Sequence, residues 1–459
     1  MPAVTAGSRG DGAGSSRGRR RSRPAPRPPH RRAQRTRTPS RRLLGTGVAA
    51  LLLLPLLAAC GGGGGGVPTL NWYIGKQSGG WIENAITECN KQAGGKYKIQ
   101  FQELPKRATD QREQLVRRLA ANDSSIDIVG MDVIWTAEFA NAKWIVPFPD
   151  SERAALTDGV LKGPVESGTY QNKLYAAPFT SNTQLLWYRK DLVAAPPPDF
   201  TWQQMIDTAA GLGKKVQIQG ARAESLNVTF NALLESSGGR FLDNPEAGKN
   251  ATISLEPGPT TKALAALSNF ANSPVASPEL NTAEEDTSRA AFEKGDSVYE
   301  INYPFIYPSA ASATAVPDLQ KKLGWARFPR VDANIPSRPP LGGFNLSVGS
   351  HSTHKAEAFQ AIQCIRQPAN QLFAAEKGGN PPTTSAVYDQ LTTDQYPFKD
   401  VLRSSINDAA PRPVSPAYND LSLALQNVIH PLNSFDPAAA AVALRKLCEQ
   451  ALKSEAVLS

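Results

Sequence analysis

The 459-residue sequence has no G-x-x-x-x-G-K-[ST] phosphate loop, no strand-borne G-x-G-x-x-G fingerprint, no C-x-x-C pair, no H-E-x-x-H helix and, beyond Gly14-Ser15-Ser16-Arg17-Gly18 in its arginine-rich beginning, no G-x-S-x-G elbow. Those absences remove the nucleotide-binding, serine-hydrolase, thiol-redox and zinc-protease classes that carry such motifs. Histidine is scarce, with four in all, and His30 falls in the arginine-rich beginning. His351 and His354 flank a helix start at Thr353 and lack Cys or His partners nearby, so no metal centre and no cofactor is expected. Enzymes that need only two carboxylates are harder to remove. A glycoside hydrolase using Asp132 and Glu284 stays open as the alternative class.

Lysine is missing from residues 1–59, which hold 13 Arg and a single acid, Asp11. That segment therefore carries +12 of a total of +9, which leaves −3 on the rest of the chain. A basic total normally suggests nucleic acid; here the excess is confined to a leader, so no nucleic-acid partner is expected. The leader has an Arg-rich region, an uncharged run from Leu43 to Ala59 and a small-residue cleavage site, the three zones of an export signal. Its apolar run is interrupted by Gly45, Gly47 and Pro55 and is marginal as a permanent span. Residues 1–59 are read as a signal peptide. The order Ser40-Arg41-Arg42-Leu43-Leu44 is compatible with twin-arginine export, and the route stays open.

Leu57-Ala58-Ala59-Cys60 resembles a bacterial lipobox, in which Cys60 takes a diacylglyceryl group and becomes the new N-terminus. Gly61 to Gly66 then form a tether reaching roughly 12–15 Å root-mean-square. The implied product is a globular body leashed to the membrane.

Nearly 400 residues remain, more than one core usually serves, so two lobes are expected. Val67–Ile74, Lys96–Leu104 and Ile126–Met131 read as strands, separated by helices near 81–92 and 110–121. This alternation starts a doubly wound α/β lobe, whose ligands sit at the carboxyl ends of the strands, where Asp132 and Trp135 emerge. Asp132 is equally suited to cap the next helix. Thr201 with Gln204 predicts a capping box.

The run LYAAPFTSNTQLLWYRKDL, residues 174–192, places Ser181, Asn182, Thr183 and Gln184 between two strand-like segments. Such side chains suit a neutral polyhydroxylated ligand, and equally a polar turn. Asn302-Tyr303-Pro304-Phe305 ends the strand SVYEIN and offers an aromatic platform for a sugar ring or a core aromatic cluster. Glu284, Glu285 and Asp286 read as an acidic helix start or a site. Gly342 and Gly343 would bring backbone close to a ligand or a neighbouring strand. Arg412, set between prolines, presents a donor fork to vicinal hydroxyls or makes a loop ion pair.

The runs DVIWTAEFA, KLYAAPFTSNTQLLWYRKDLV, TAEEDTSRAAFEKG, INYPF, GGFNL and DAAPRPVSPAY together resemble the extracytoplasmic sugar-binding proteins of ABC importers (family 1 extracellular solute-binding proteins). Within that family the resemblance is most specific to trehalose-binding lipoproteins of the mycobacterial trehalose-recycling type. It implies a type II, maltose-binding-protein-like α/β fold whose two lobes close about hinge crossovers. By position it implies 67–180 with 302–372 as lobe one, 181–301 with 373–435 as lobe two, and 436–459 as a C-terminal helix. Asp132, Asn182, Glu284, Asn302, Tyr303, Gly343 and Arg412 would line the cleft, Tyr303 standing where the mycobacterial proteins carry Trp. The partners implied are a disaccharide such as trehalose and ABC permease subunits, with the protein a monomer at the outer face of the cytoplasmic membrane. Because their helices pack side by side in this fold, Cys89 and Cys364 would pair and leave Cys448 free.

Overall fold

The computed structural model describes residues 66–454. The signal peptide, Cys60 and most of the glycine tether lie outside the described residues. Within the body, alternating elements build two mixed sheets. In the first, Thr69–Gly75 lies between Lys98–Leu104 and Ile128–Asp132, all parallel. Pro340–Gly349 extends this sheet antiparallel to Ile128–Asp132, and along its length it also pairs with Ala177–Asn182, Ile145–Val146 and Ala410–Pro411. The second sheet runs Leu323–Ala326, Leu185–Arg189, Ser297–Asn302, Lys215–Gln217. The central strands are covered on both faces; Leu185–Arg189 and Ser297–Asn302 are buried at all positions.

The helices follow their sequence signals. Trp81–Gln92 places Trp81, Ile82, Ala85 and Cys89 on one stripe against the first sheet, where Phe179 meets Trp72 edge to face and Trp81 at a tilt. Such aromatic pairs add to the burial of their area. Trp202–Gly211 opens with the Thr201–Gln204 capping box that the sequence predicts. The disulfide expected between Cys89 and Cys364 is present, S–S 2.10 Å, and ties the first helix to Lys355–Ile365. Cys448 is a buried free thiol inside the helix Pro437–Leu452.

The first crossing between sheets takes only Thr183 and Gln184, both fully buried. The second falls later than expected. Residues 302–372 do not all join the first sheet, because Leu323–Ala326 hydrogen-bonds antiparallel to Leu185–Arg189 in the second. Trp325 of that strand needs apolar cover and finds it against Tyr307 and Phe398, so the return to the first sheet comes between Ala326 and Pro340. The third boundary, expected at 372/373, is crossed by the unbroken helix Pro368–Gly378, which packs on Trp81–Gln92. Tyr388, Tyr396, Phe398 and Leu402 instead share one core with Leu185 and Trp187 of the second sheet and Leu341 of the first. That shared core thus draws on both sheets.

Candidate functional site

Several functional side chains issue from strand ends where the two sheets approach. Ile128–Asp132 ends on Asp132, whose Oδ1 accepts from the Ile134 amide at 3.2 Å and from Arg412 Nη2 at 3.0 Å. Capping and site are thus the same atom's work. Arg412 follows Ala410–Pro411, a short strand paired with Pro340–Leu341, and its backbone is set between Pro411 and Pro413. Its guanidinium is 3 % exposed, with Nη1 2.7 Å from Glu224 Oε1 and Nε without a protein partner.

Glu224 opens the helix Glu224–Glu235 of the second lobe. The Tyr418 hydroxyl donates to that same Oε1, and Oε2 accepts from Ser422 Oγ at 2.8 Å. One cation thereby joins a strand end of the first sheet to a helix start of the second lobe. Burial tends to lower the Arg412 pKa, but Asp132, Tyr418 and Glu224 outweigh it and hold the value well above normal, so the cation stays charged. Burial raises Glu224 above the ordinary carboxylate range, although Arg412 and Tyr418 oppose it.

Tyr303 is electrostatically coupled to this group. Burial raises its hydroxyl pKa, reinforced by the Glu285 carboxylate, so it stays a neutral donor and acceptor. Glu285 itself is pushed up to about 7, first by burial and then by Glu284, Asp286 and Asp132. A Cβ on Gly342 would sit 3.7 Å from the Tyr303 ring and 3.8 Å from Asn182 Cβ, so that glycine keeps open the space between them. The assembled group has a planar cation, three carboxylates, two phenols and an amide in partly desolvated surroundings. It offers dense hydrogen bonding and no nucleophile–base pair.

Residues 75–372 match the family model described as bacterial extracellular solute-binding protein. The chain belongs to that family. Its members bind solutes; the family and fold are those of binding proteins, not enzymes, and imply an extracytoplasmic location. A probable ABC transporter-binding protein of Deinococcus radiodurans is 24 % identical over 377 residues, 76 % of this chain and 86 % of the relative. The maltose-bound MalE3 of T. maritima superposes with a TM-score of 0.74 at 24 % identity, covering 83 % of this chain and 98 % of that one. A solute-binding protein of Thermotoga lettingae bound with α-D-tagatose gives a TM-score of 0.74 at 21 % identity, with 84 % and 100 % covered. These likenesses establish the two-lobed, maltose-binding-protein-like fold.

Of the residues singled out in the sequence, Asp132, Tyr303 and Arg412 fall into one electrostatic cluster, with Asn182 across Gly342 from Tyr303. Three expectations are corrected. Asn302 is fully buried, its amide donating to Glu285 O, Ser288 Oγ and Glu300 Oε1 and its Oδ1 accepting from the Tyr303 amide. Its side chain is therefore engaged in shaping the strand end. Gly343 has φ 131°, and a Cβ there would lie 2.1 Å from the Thr180 carbonyl oxygen; strand approach requires this glycine, while Gly342 is the one beside the site. Glu284 is engaged with Arg107 at 3.1 Å, and its neighbour Glu285 is the acid coupled to Asp132 and Tyr303. Trp135 is buried and stacks on Phe139.

Sequence reasoning missed Glu224, Tyr418 and Ser422. An acidic residue in the first turn of the Leu226 helix was the available signal for Glu224. Among the described residues no group of three or more His, Cys, Asp or Glu is arranged to hold a metal, and no helix is long and apolar enough to cross a membrane.

Proposed function

We propose that this chain is the extracytoplasmic substrate-binding protein of an ABC sugar importer, lipid-anchored through Cys60, and that its ligand is trehalose or a close α-linked glucose disaccharide. The observation that carries the reading is Arg412 locked between Asp132 and Glu224 and electrostatically coupled to Tyr303. A guanidinium held in one orientation presents its remaining N–H groups, and its carboxylate partners accept from vicinal hydroxyls, without reorganisation when a neutral ligand arrives. Tyr303 supplies apolar ring surface with a polar tip. Three carboxylates against one cation disfavour uronates and sugar phosphates. Fold neighbours solved with maltose and with tagatose support the sugar class. The runs matching the trehalose-binding lipoproteins support the disaccharide.

In this reading the two lobes close on the ligand about their crossovers, Asp132, Asn182, Tyr303 and Arg412 contact it, and the closed protein delivers it intact to permease subunits. Glu285 and Glu224 join the ligand-facing set in place of Glu284. Hydrolysis finds no support: Glu284 is tied to Arg107 and Asp132 to Arg412, so neither is poised as a free acid or base. Calorimetry against trehalose, maltose, sucrose and glucose tests the assignment. Tight binding of trehalose is expected; preference for maltose, or no heat with any of the four, overturns it.

A further inference from the structure

Lys106 and Arg107 follow the strand Lys98–Leu104 of the first sheet, and Arg107 is the N-cap of the helix Ala108–Ala120. Opposite them, Glu284 is the N-cap of Glu285–Glu293, a helix packed on the second-sheet strand Ser297–Asn302. Lys106 Nζ lies 2.5 Å from Asp286 Oδ2, and Arg107 Nε lies 3.1 Å from Glu284 Oε1. Two adjacent cations on one lobe therefore meet two acids on the other, with Glu285 between those acids coupled to the site instead.

Both sides are anchored in backbone. The Lys106 carbonyl accepts from Gln111 Nε2 at 3.3 Å, and Gly75 leaves room for that amide, since a Cβ there would lie 2.5 Å from Nε2. Across the gap, Thr287 Oγ1 accepts from the Glu284 amide at 2.8 Å, while Asp286 also faces Arg289 at 3.8 Å. Two helix amino ends, each a partial positive charge, thus approach one another, and the acids between them favour the approach. All four side chains remain substantially exposed, 79 % and 42 % in one pair and 48 % and 31 % in the other. Exposed pairs are weak and screened by salt, which makes this contact reversible.

We propose that Lys106 and Arg107 are positioning residues for ligand capture: their pairing with Asp286 and Glu284 draws the lobe rims together without touching the ligand. The proposal rests on the two-lobed closing reading and goes beyond it by assigning part of the closing free energy to charges outside the site. Two exposed pairs should move the closed-to-open ratio about 3- to 10-fold at low ionic strength.

The test is small-angle X-ray scattering on ligand-free full-length protein in about 10 mM and about 1 M salt, where the screening length falls from roughly 30 to 3 Å. The wild type should be more compact at low salt. Lys106→Glu/Arg107→Glu should have the larger radius of gyration at low salt and converge on the wild type at high salt, while the charge-conserving Lys106→Arg/Arg107→Lys should follow the wild type. If the reversal variant misfolds by thermal melting, Lys106→Gln/Arg107→Gln takes its place. Identical radii for wild type and charge-altered protein at both salts overturn the proposal. Because no ligand is present, failure to bind trehalose or maltose does not alter this readout, and a salt-insensitive radius leaves the sugar assignment standing.

Discussion

Replacing Arg412 by Met keeps side-chain volume while deleting the charge, so it isolates the electrostatic role of the residue. The guanidinium is 3 % exposed and bridges Glu224 at 2.7 Å and Asp132 at 3.0 Å. Breaking a buried pair from one side costs about 3–5 kcal/mol if the stranded carboxylates stay ionised. Glu224 has another course, because burial already raises its pKa and it can take a proton. Starting from the ordinary value of 4.5, protonation at pH 7 costs about 3 kcal/mol, at about 1.36 kcal/mol per pH unit. That caps the expected loss near 3 kcal/mol at pH 7. At pH 5 the same protonation costs less than about 1 kcal/mol, so the loss should fall to about 1 kcal/mol.

The sign follows from linkage: in the variant the folded state keeps a proton that the unfolded chain releases above about pH 4.5, so its deficit grows as pH rises. Urea unfolding of wild type and Arg412→Met at pH 5, 6 and 7 measures it directly. If trehalose is the ligand, as proposed, its affinity should drop about 30- to 150-fold, corresponding to about 2–3 kcal/mol. Arg412→Lys should recover part of the stability and little of the affinity, since a point charge cannot bridge both acids. A pH-independent loss below about 1 kcal/mol would refute the reasoning.

Glu300 is fully buried with its pKa raised to about 8, chiefly by burial, so its contribution is complete below about pH 4.5 and is lost as pH rises toward 8. Glu300→Gln should flatten that part of the stability profile in denaturation between pH 5 and 8; an unchanged slope would show that Glu300 is not its source. Gly343→Ala should cost more than about 2 kcal/mol in thermal unfolding, because φ is 131° and the Thr180 oxygen stands 2.1 Å from the new Cβ, whereas Gly342→Ala should fold normally. Cys89→Ser/Cys364→Ser should destabilise by about 2–5 kcal/mol, and peptide mapping of the wild type should show Cys448 unlinked.

The strand–helix alternation and the capping box at Thr201 were legible because each is written locally, in periodicity or spacing; the polar interruption between apolar runs pointed to a first crossing after residue 180, and the structure makes it at Thr183 and Gln184, two residues later. The second crossing was not legible. Asn302 ends a strand two residues before Pro304, which reads as an exit, but Trp325 carries the chain back to the second sheet because Phe398, more than seventy positions away, covers it. No local pattern encodes that pairing. The resemblance to a family narrowed the acidic run 284–286 to a single residue and chose Glu284. The helix that begins there turns successive side chains through about 100° each, so Glu284 and Asp286 reach the rim while Glu285 couples to the site. Glu224 stayed hidden for a different reason: its significance comes wholly from Arg412, Tyr418 and Ser422, nearly two hundred residues later.

The placement of charge bears on why a binding protein would bury a cation that adds little net stability. Buried ion pairs repay little of their desolvation, so Arg412 with Asp132 and Glu224 is poorly explained as a stabilising device. Its location gives the better account. Asp132 ends a strand of the first sheet and Glu224 begins a helix of the second lobe, so the triad exists in full only when the lobes are together. Opening must leave one of the two acids without its cation, and a ligand whose hydroxyls satisfy Arg412 Nε and the carboxylate edges adds to what opening would break. Asp132→Asn offers a decisive comparison, because it retains an oxygen for the Ile134 amide and for Arg412 while removing the charge. If the charge couples the lobes, this variant should fold with nearly wild-type stability yet release trehalose at least about tenfold faster in stopped-flow measurements. Unchanged release would mean that the bridge orients Arg412 and takes no part in closure.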